Sequence, residues 1–175
     1  MGTGGLADIY GELEWDWLVQ CPNLRVQSDA TRLPYKDSCF DAVVTSPVYG
    51  NRMSDHFDAR DSSHRITYRH YLGQPLRATN AGRMQWGDKY QQLHIRAWRE
   101  VWRVLKPGGR FILNCADHIR AGNRIRVSQW QVDVCESIGF ELMKQETVFC
   151  PGMRQGENGD KRVPYQYLYW LEKPK

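Results

Sequence analysis

This sequence predicts an α/β fold with a largely parallel sheet, and three observations carry that reading. Short β-branched or apolar runs end at polar or proline turns, segments of helical period lie between them, and the strongest helical segment stops at Pro107-Gly108-Gly109. Strands that alternate with helices build parallel sheets, and the ligands of such sheets bind beyond the carboxyl ends of the strands. The turns after the strands are therefore where a site is expected.

The elements follow in chain order. "NLRVQSDATRLPYKDSCF" reads as strand, turn, short insertion and strand, and "FDAVVTSP" places a second strand on Val43 and Val44, closed by Pro47. In "KYQQLHIRAWREVWRVLKPGG", Ala97, Val101, Val104 and Leu105 recur at helical spacing with Arg96, Arg99 and Arg103 interleaved. Trp98 and Trp102 lie four apart on that helix and belong to the core or a groove rather than to a substrate. Arg110 to Cys115 reads as a buried strand, Val127 to Ile138 as an amphipathic helix, Phe140 to Phe149 as a strand, and Tyr165 to Leu171 as the last strand.

Length and composition bound the rest. A chain of 175 residues with 41% hydrophobic content suits one domain, 1–175, with one core. No run of about 18 apolar residues and no charged-then-apolar leader stand in it, so no membrane partner is expected and the cytoplasm is the default location. The five cysteines are scattered and never form a C-x-x-C pair; free thiols, mostly in the core, are expected. Charge is uneven. Residues 1–50 carry three basic and seven acidic side chains, whereas 51–127 carry fifteen basic and six acidic, a distribution that suits a polyanionic partner. Between Tyr49 and Tyr90 the periodicity fails over about forty Arg-rich, aromatic-dotted residues, including Phe57, Tyr68, Tyr71 and Trp86. A loop that long points to a substrate-binding insertion, at about 50–89. Asp55, His56, Asp58 and His64 fall there at irregular spacing, and no metal site is expected.

"DATRLPYKDSCFDAVVTSPVYGNRM" resembles the central part of S-adenosylmethionine-dependent amino-group methyltransferases, above all the DNA adenine-N6 and cytosine-N4 methylases. In that family a strand ends in Asp, Asn or Ser, then Pro-Pro, then an aromatic; the matching positions are Ser46, Pro47, Val48 and Tyr49, with Val48 departing from the second proline. "EVWRVLKPGGRFIL" adds a helix, turn and strand common to the wider class, and the likeness runs from about Tyr10 to the carboxyl end. It implies a Rossmann-like class I methyltransferase sheet, mostly parallel with an antiparallel last strand.

An exocyclic amine of a base is a poor nucleophile because its lone pair is delocalised into the ring. The resemblance implies that the Ser46 side chain and the Pro47 carbonyl accept its two N–H bonds, favouring a more pyramidal nitrogen, while Tyr49 stacks on the base; geometry supplies most of such a rate gain. The base must be flipped out of a duplex or come from a single strand, and stacking is worth about 1–3 kcal/mol.

The same resemblance implies S-adenosyl-L-methionine as cofactor, with Glu12 (or its neighbour Glu14) on the ribose hydroxyls, Asp29 on the adenine amine and the Ala30 amide near the ring. The family opens with an Asp-Pro-Phe strand and a Gly-x-Gly loop; "MGTGG", with Gly2 and Gly4, matches only the tail of that loop, so the sheet is expected to be incomplete at its amino-terminal end. A truncated chain, a degenerate family member, and a partner subunit or homodimer that completes the site are the three explanations this leaves. Asn51, Arg52, Asn114, Arg120, Arg124 and Arg126 are the expected substrate contacts, with Asp117 and His118 also at the pocket. DNA is the expected partner. An RNA methyltransferase of the tRNA guanosine-N2 type and an inactive nucleic-acid-binding remnant are the alternatives.

Overall fold

The computed structural model describes residues 25–50, 77–150 and 163–175. Its elements are strand β1 (Phe40–Thr45), a 3-10 turn (Ala81–Arg83), helix α1 (Asp88–Val104), strands β2 (Leu105–Cys115), β3 (His118–Arg120) and β4 (Asn123–Ile125), helix α2 (Val127–Ile138), and strands β5 (Glu141–Phe149) and β6 (Tyr165–Glu172). Four strands form one sheet in the order β1-β2-β6-β5. β1 runs parallel to β2, and β6 runs antiparallel to both β2 and β5. Three of the four strands therefore point the same way and the last strand opposes them, as the sequence suggested.

α1 forms because its apolar positions share one face: Tyr90, His94, Ala97, Trp98, Val101 and Val104 are its buried residues. It ends at Val104 because Leu105 turns extended, with ψ at 137°, just before the Lys106-Pro107 pair that disfavours helix. The turn at Pro107 to Gly109 does not separate helix from strand, as the sequence suggested. β2 already starts at Leu105, pairs with Phe40 there, and absorbs the turn as an irregularity before Ala42 meets Arg110.

The core lies between the sheet and the two helices. Phe111, Leu113 and Cys115 of β2 alternate inward, and Tyr169 and Leu171 of β6 continue that face. Ala97, Trp98 and Val101 from α1 and Val132 and Cys135 from α2 close over them. α2 stops at Gly139, whose φ of +124° suits glycine and whose N–H bonds back to the Cys135 and Glu136 carbonyls. A Cβ at that position would stand 2.9 Å from the Trp102 ring.

Two readings change. The strand expected near Val26 does not form: residues 25–28 are exposed and irregular, and the only pairing nearby among the described residues is the isolated Asp29–Arg32 bridge. The Asp29 carboxylate takes the Thr31 N–H at 2.8 Å and bends the chain into a local turn instead. Arg120 to Arg126 is not a plain loop either. His118–Arg120 and Asn123–Ile125 pair as a hairpin around Ala121 and Gly122, both at positive φ.

Among the described residues β1 ends the sheet on one side. The "GELE" segment lies outside the described residues, as do the opening glycines and 51–76 of the insertion. Cys115 and Cys135 are buried thiols, and Cys39 and Cys150 are free and half-buried.

Candidate functional site at the carboxyl ends of β1 and β2

Because β1 and β2 are parallel neighbours, their carboxyl ends bring two turns side by side: Ser46 to Gly50 after β1, and Ala116 to His118 after β2. The first turn folds back on itself. The Ser46 hydroxyl and the Tyr49 hydroxyl lie 3.2 Å apart, with Ser46 exposed and Tyr49 half-buried against the core. Burial raises the Tyr49 pKa, which keeps the phenol neutral.

The backbone of the turn is tied at two points, one to α1 and one to the stretch just before it. The Tyr90 hydroxyl donates to the Val48 carbonyl at 2.7 Å, and the Trp86 N–H donates to the Gly50 carbonyl at 2.6 Å. Gly50 needs to be glycine on two counts: its φ is +68°, and a Cβ would meet the Trp86 backbone nitrogen at 3.2 Å. Trp86, read from the sequence as an insertion aromatic, packs 5.6 Å from Tyr90 and 5.3 Å from Trp130.

In the second turn the Asp117 side chain is almost fully buried. Oδ1 accepts from the Ser128 N–H at 2.9 Å and from the Ser128 hydroxyl at 2.6 Å, while Oδ2 accepts from Arg124 at 2.8 Å. His118 faces the Tyr49 backbone; burial lowers its pKa and keeps the ring neutral, and its Nδ1 is buried with no partner among the described residues. Such an orphaned ring nitrogen costs free energy unless something else bonds it.

Apart from Asp29 and Ala30, the expected site residues fall into three groups. Ser46, Pro47 and Tyr49 form the turn itself. Arg120, Arg124, Arg126 and Asn114 lie around β2 and its hairpin: Arg120 donates to the Trp86 carbonyl and the Gln85 side chain, Arg124 donates to Asp117 and to the Tyr167 hydroxyl at 2.6 Å, Asn114 donates to Gln166, and Arg126 is exposed at the N-cap of α2. Gly2, Gly4, Glu12, Asn51 and Arg52 lie outside the described residues. Sequence reasoning missed Tyr90 and Gln131 altogether. The stripe Tyr90, His94, Trp98 at fourfold spacing was the available signal.

For the cofactor that the resemblance implies, the test falls on Asp29 and Ala30, both exposed. Hydrogen bonds from the Thr31 backbone and hydroxyl hold the Asp29 carboxyl below its usual pKa, so it is ionised. Those two bonds go to Oδ1. A carboxylate has about four acceptor sites, which leaves capacity for an adenine amine. The donor set fits. Among the described residues no cluster of His, Cys, Asp or Glu could hold a metal ion, and no helix is long and apolar enough to cross a membrane.

Neither a protein-family model nor a curated protein matches the chain. Solved structures do. A proposed DNA modification methylase from Thermus thermophilus superimposes with a TM-score of 0.53 at 19% identity, over 85% of this chain and 52% of that one. The fold is a Rossmann-like methyltransferase fold. The same Thermus protein complexed with S-adenosyl-L-methionine gives a TM-score of 0.51 at 19% identity, over 84% of this chain and 51% of that one. The likeness is one of fold, and the chain spans about half the length of those proteins. The Ser46 turn stands at the carboxyl end of β1, the side on which α/β sheets bind their ligands.

Proposed function

We propose that the chain is an S-adenosyl-L-methionine-dependent methyltransferase acting on an exocyclic amine of a DNA base, adenine N6 or cytosine N4. The observation that carries this reading is the Ser46–Tyr49 contact of 3.2 Å at the carboxyl end of a parallel strand. It sets an exposed hydroxyl beside an aromatic ring within one tight turn, which is what a flat base with an amine on its edge requires. The Ser46 hydroxyl and the Pro47 carbonyl accept the amine hydrogens and Tyr49 holds the ring by stacking. Asp29 and Ala30, with Gly2, Gly4 and Glu12, hold the cofactor, which supplies an electrophilic methyl group when bound. Asn51, Arg52, Asn114, Arg120, Arg124 and Arg126 are the proposed contacts to the substrate strand. Arg126 is exposed, whereas Arg124 is already opposed by Asp117.

The test is transfer of labelled methyl from S-adenosyl-L-methionine to duplex DNA, single-stranded DNA and tRNA, followed by nucleoside analysis. Label in N6-methyladenine or N4-methylcytosine is the expected result, and Tyr49→Ala should abolish it while cofactor affinity is kept. Label confined to tRNA would move the reading to RNA. A folded chain that binds the cofactor and labels none of the three would overturn the enzymatic reading.

A further inference from the structure

We propose that Tyr90 is a positioning residue for the Ser46 to Tyr49 turn, acting at the end of a one-way hydrogen-bond chain that starts at Trp98. The inference rests on the reading of that turn as a base-amine site and adds to it the part of the core that sets its geometry.

The direction of the chain follows from what each group is able to do. An indole N–H only donates. Trp98 Nε1 meets Gln131 Oε1 at 2.5 Å, which fixes the orientation of the amide and turns Nε2 towards the Tyr90 hydroxyl at 3.0 Å. The Tyr90 oxygen accepts there, so its own proton goes to the Val48 carbonyl at 2.7 Å. All three side chains are buried, Trp98 at 4% exposure and Gln131 and Tyr90 at 0%. Reversal would leave two acceptors or two donors facing each other in the core, where unmatched polar groups are costly.

The chain ends on the one peptide plane that aims Tyr49. Pinning the Val48 carbonyl orients the unit between Val48 and Tyr49, and with it the direction in which the Tyr49 side chain leaves the backbone. Pro47 has its φ locked by its ring, whereas Val48 has no such lock. The bond from Tyr90 supplies that restraint from outside the turn. Gln131 comes from α2 and Trp98 and Tyr90 from α1, so the packing of two helices is transmitted to the turn after β1.

The test compares the full chain with Tyr90→Phe, which keeps the ring and deletes the donor. Backbone amide exchange across residues 45–50 is read first and involves no reaction; loss of one buried bond predicts exchange faster by about tenfold there. Initial rates follow, with S-adenosyl-L-methionine and a single-stranded DNA oligonucleotide containing adenine and cytosine. The expected result is a kcat lower by about tenfold with an unchanged KM for the cofactor, because misaim of Tyr49 affects only the reacting amine. Trp102→Leu, which loosens packing at the far end of α1, serves as the stability control and should keep kcat. Unchanged exchange across 45–50, or a kcat loss no larger than in Trp102→Leu, overturns the proposal. If the unaltered chain transfers no methyl group to DNA, the DNA-base reading fails, and the exchange data alone decide whether Tyr90 holds the turn.

Discussion

The carboxylate of Asp117 caps a helix to which it does not belong: it accepts the Ser128 N–H at 2.9 Å in the first turn of α2, eleven residues further on. The N-cap residue itself, Arg126, makes no side-chain cap bond. A negative charge at that end also suits the helix dipole. Asp117→Ala should therefore fray α2 and release Arg124 together. An N-cap loss costs about 1 kcal/mol, and with a charged, buried bond also broken the total should reach at least about 2 kcal/mol in urea denaturation. A loss below about 0.5 kcal/mol, the usual range for surface changes, would show that the contact is incidental.

Acid should destabilise the fold in two stages. His94 is buried and its pKa is lowered from 6.5, chiefly by burial; its Nδ1 donates to the Tyr90 carbonyl at 2.8 Å. His118 is lowered in the same direction. A histidine with a depressed folded pKa contributes stability that is complete above its unfolded pKa and is lost as pH falls through the folded one. Glu100 and Asp29 have lowered carboxyl pKa values, from hydrogen bonds to Arg103 and Thr31 respectively, so their contribution is lost at lower pH still. The melting temperature should fall as pH drops below about 6.5 and again below about 4.5, the unfolded values for His and Glu. His94→Gln should shrink the first step, leaving the His118 share, and keep the second. A profile flat from pH 7 to 5 in the parent chain would contradict the assignment.

How much of this was legible in the sequence differs from element to element. α1, α2 and the strands around Val43, Phe111 and Tyr169 were readable because their apolar residues repeat at the period that burial demands. The Ser46 turn was readable because proline and its neighbours punctuate the end of a strand. The hairpin around Ala121 and Gly122 was not, since its strands are three residues each, too short to show a period. The Val26 strand misled because a β-branched residue among polar ones has the local look of a strand, while a strand exists only when a neighbour pairs it. The roles of Gln131 and Asp117 were hidden for another reason: each acts on a residue from a different element, and such pairing has no spacing in the chain.

Gly139 should tolerate no side chain. Its φ of +124° is a conformation that L residues avoid, and a Cβ would come within 2.9 Å of Trp102, a ring that also packs edge-on against Phe140 at 4.9 Å. Backbone strain alone costs about 1–3 kcal/mol at such positions. Gly139→Ala should therefore destabilise the fold by at least that much, and its effect should shrink in a Trp102→Leu background, which removes the clash but not the strain. Equal losses in both backgrounds would show that the ring gives way freely.

Arg103 should resist replacement by lysine although it lies at a partly exposed position. Its guanidinium donates at once to Glu100, to the carbonyls of Leu33 and Tyr35 and to Asp37, at 2.7–3.0 Å, while Glu100 in turn accepts the Leu33 N–H at 2.8 Å. A planar fork with five donors can serve acceptors on both sides, whereas an ammonium at the end of a flexible stem reaches fewer of them. The exposed pairs contribute little by themselves. The two backbone carbonyls matter more, because they tie the stretch after Asp29 to α1 and so fix where the expected adenine contact stands relative to the Ser46 turn. Arg103→Lys should cost about 1–2 kcal/mol of stability, the value of one or two such bonds, and speed amide exchange at residues 33–39. If S-adenosyl-L-methionine sits on Asp29 as proposed, its affinity should weaken in the same variant while Tyr49 and the turn after β1 remain protected. Faster exchange at 45–50 but not at 33–39 would contradict this division of the structure into two separately anchored halves.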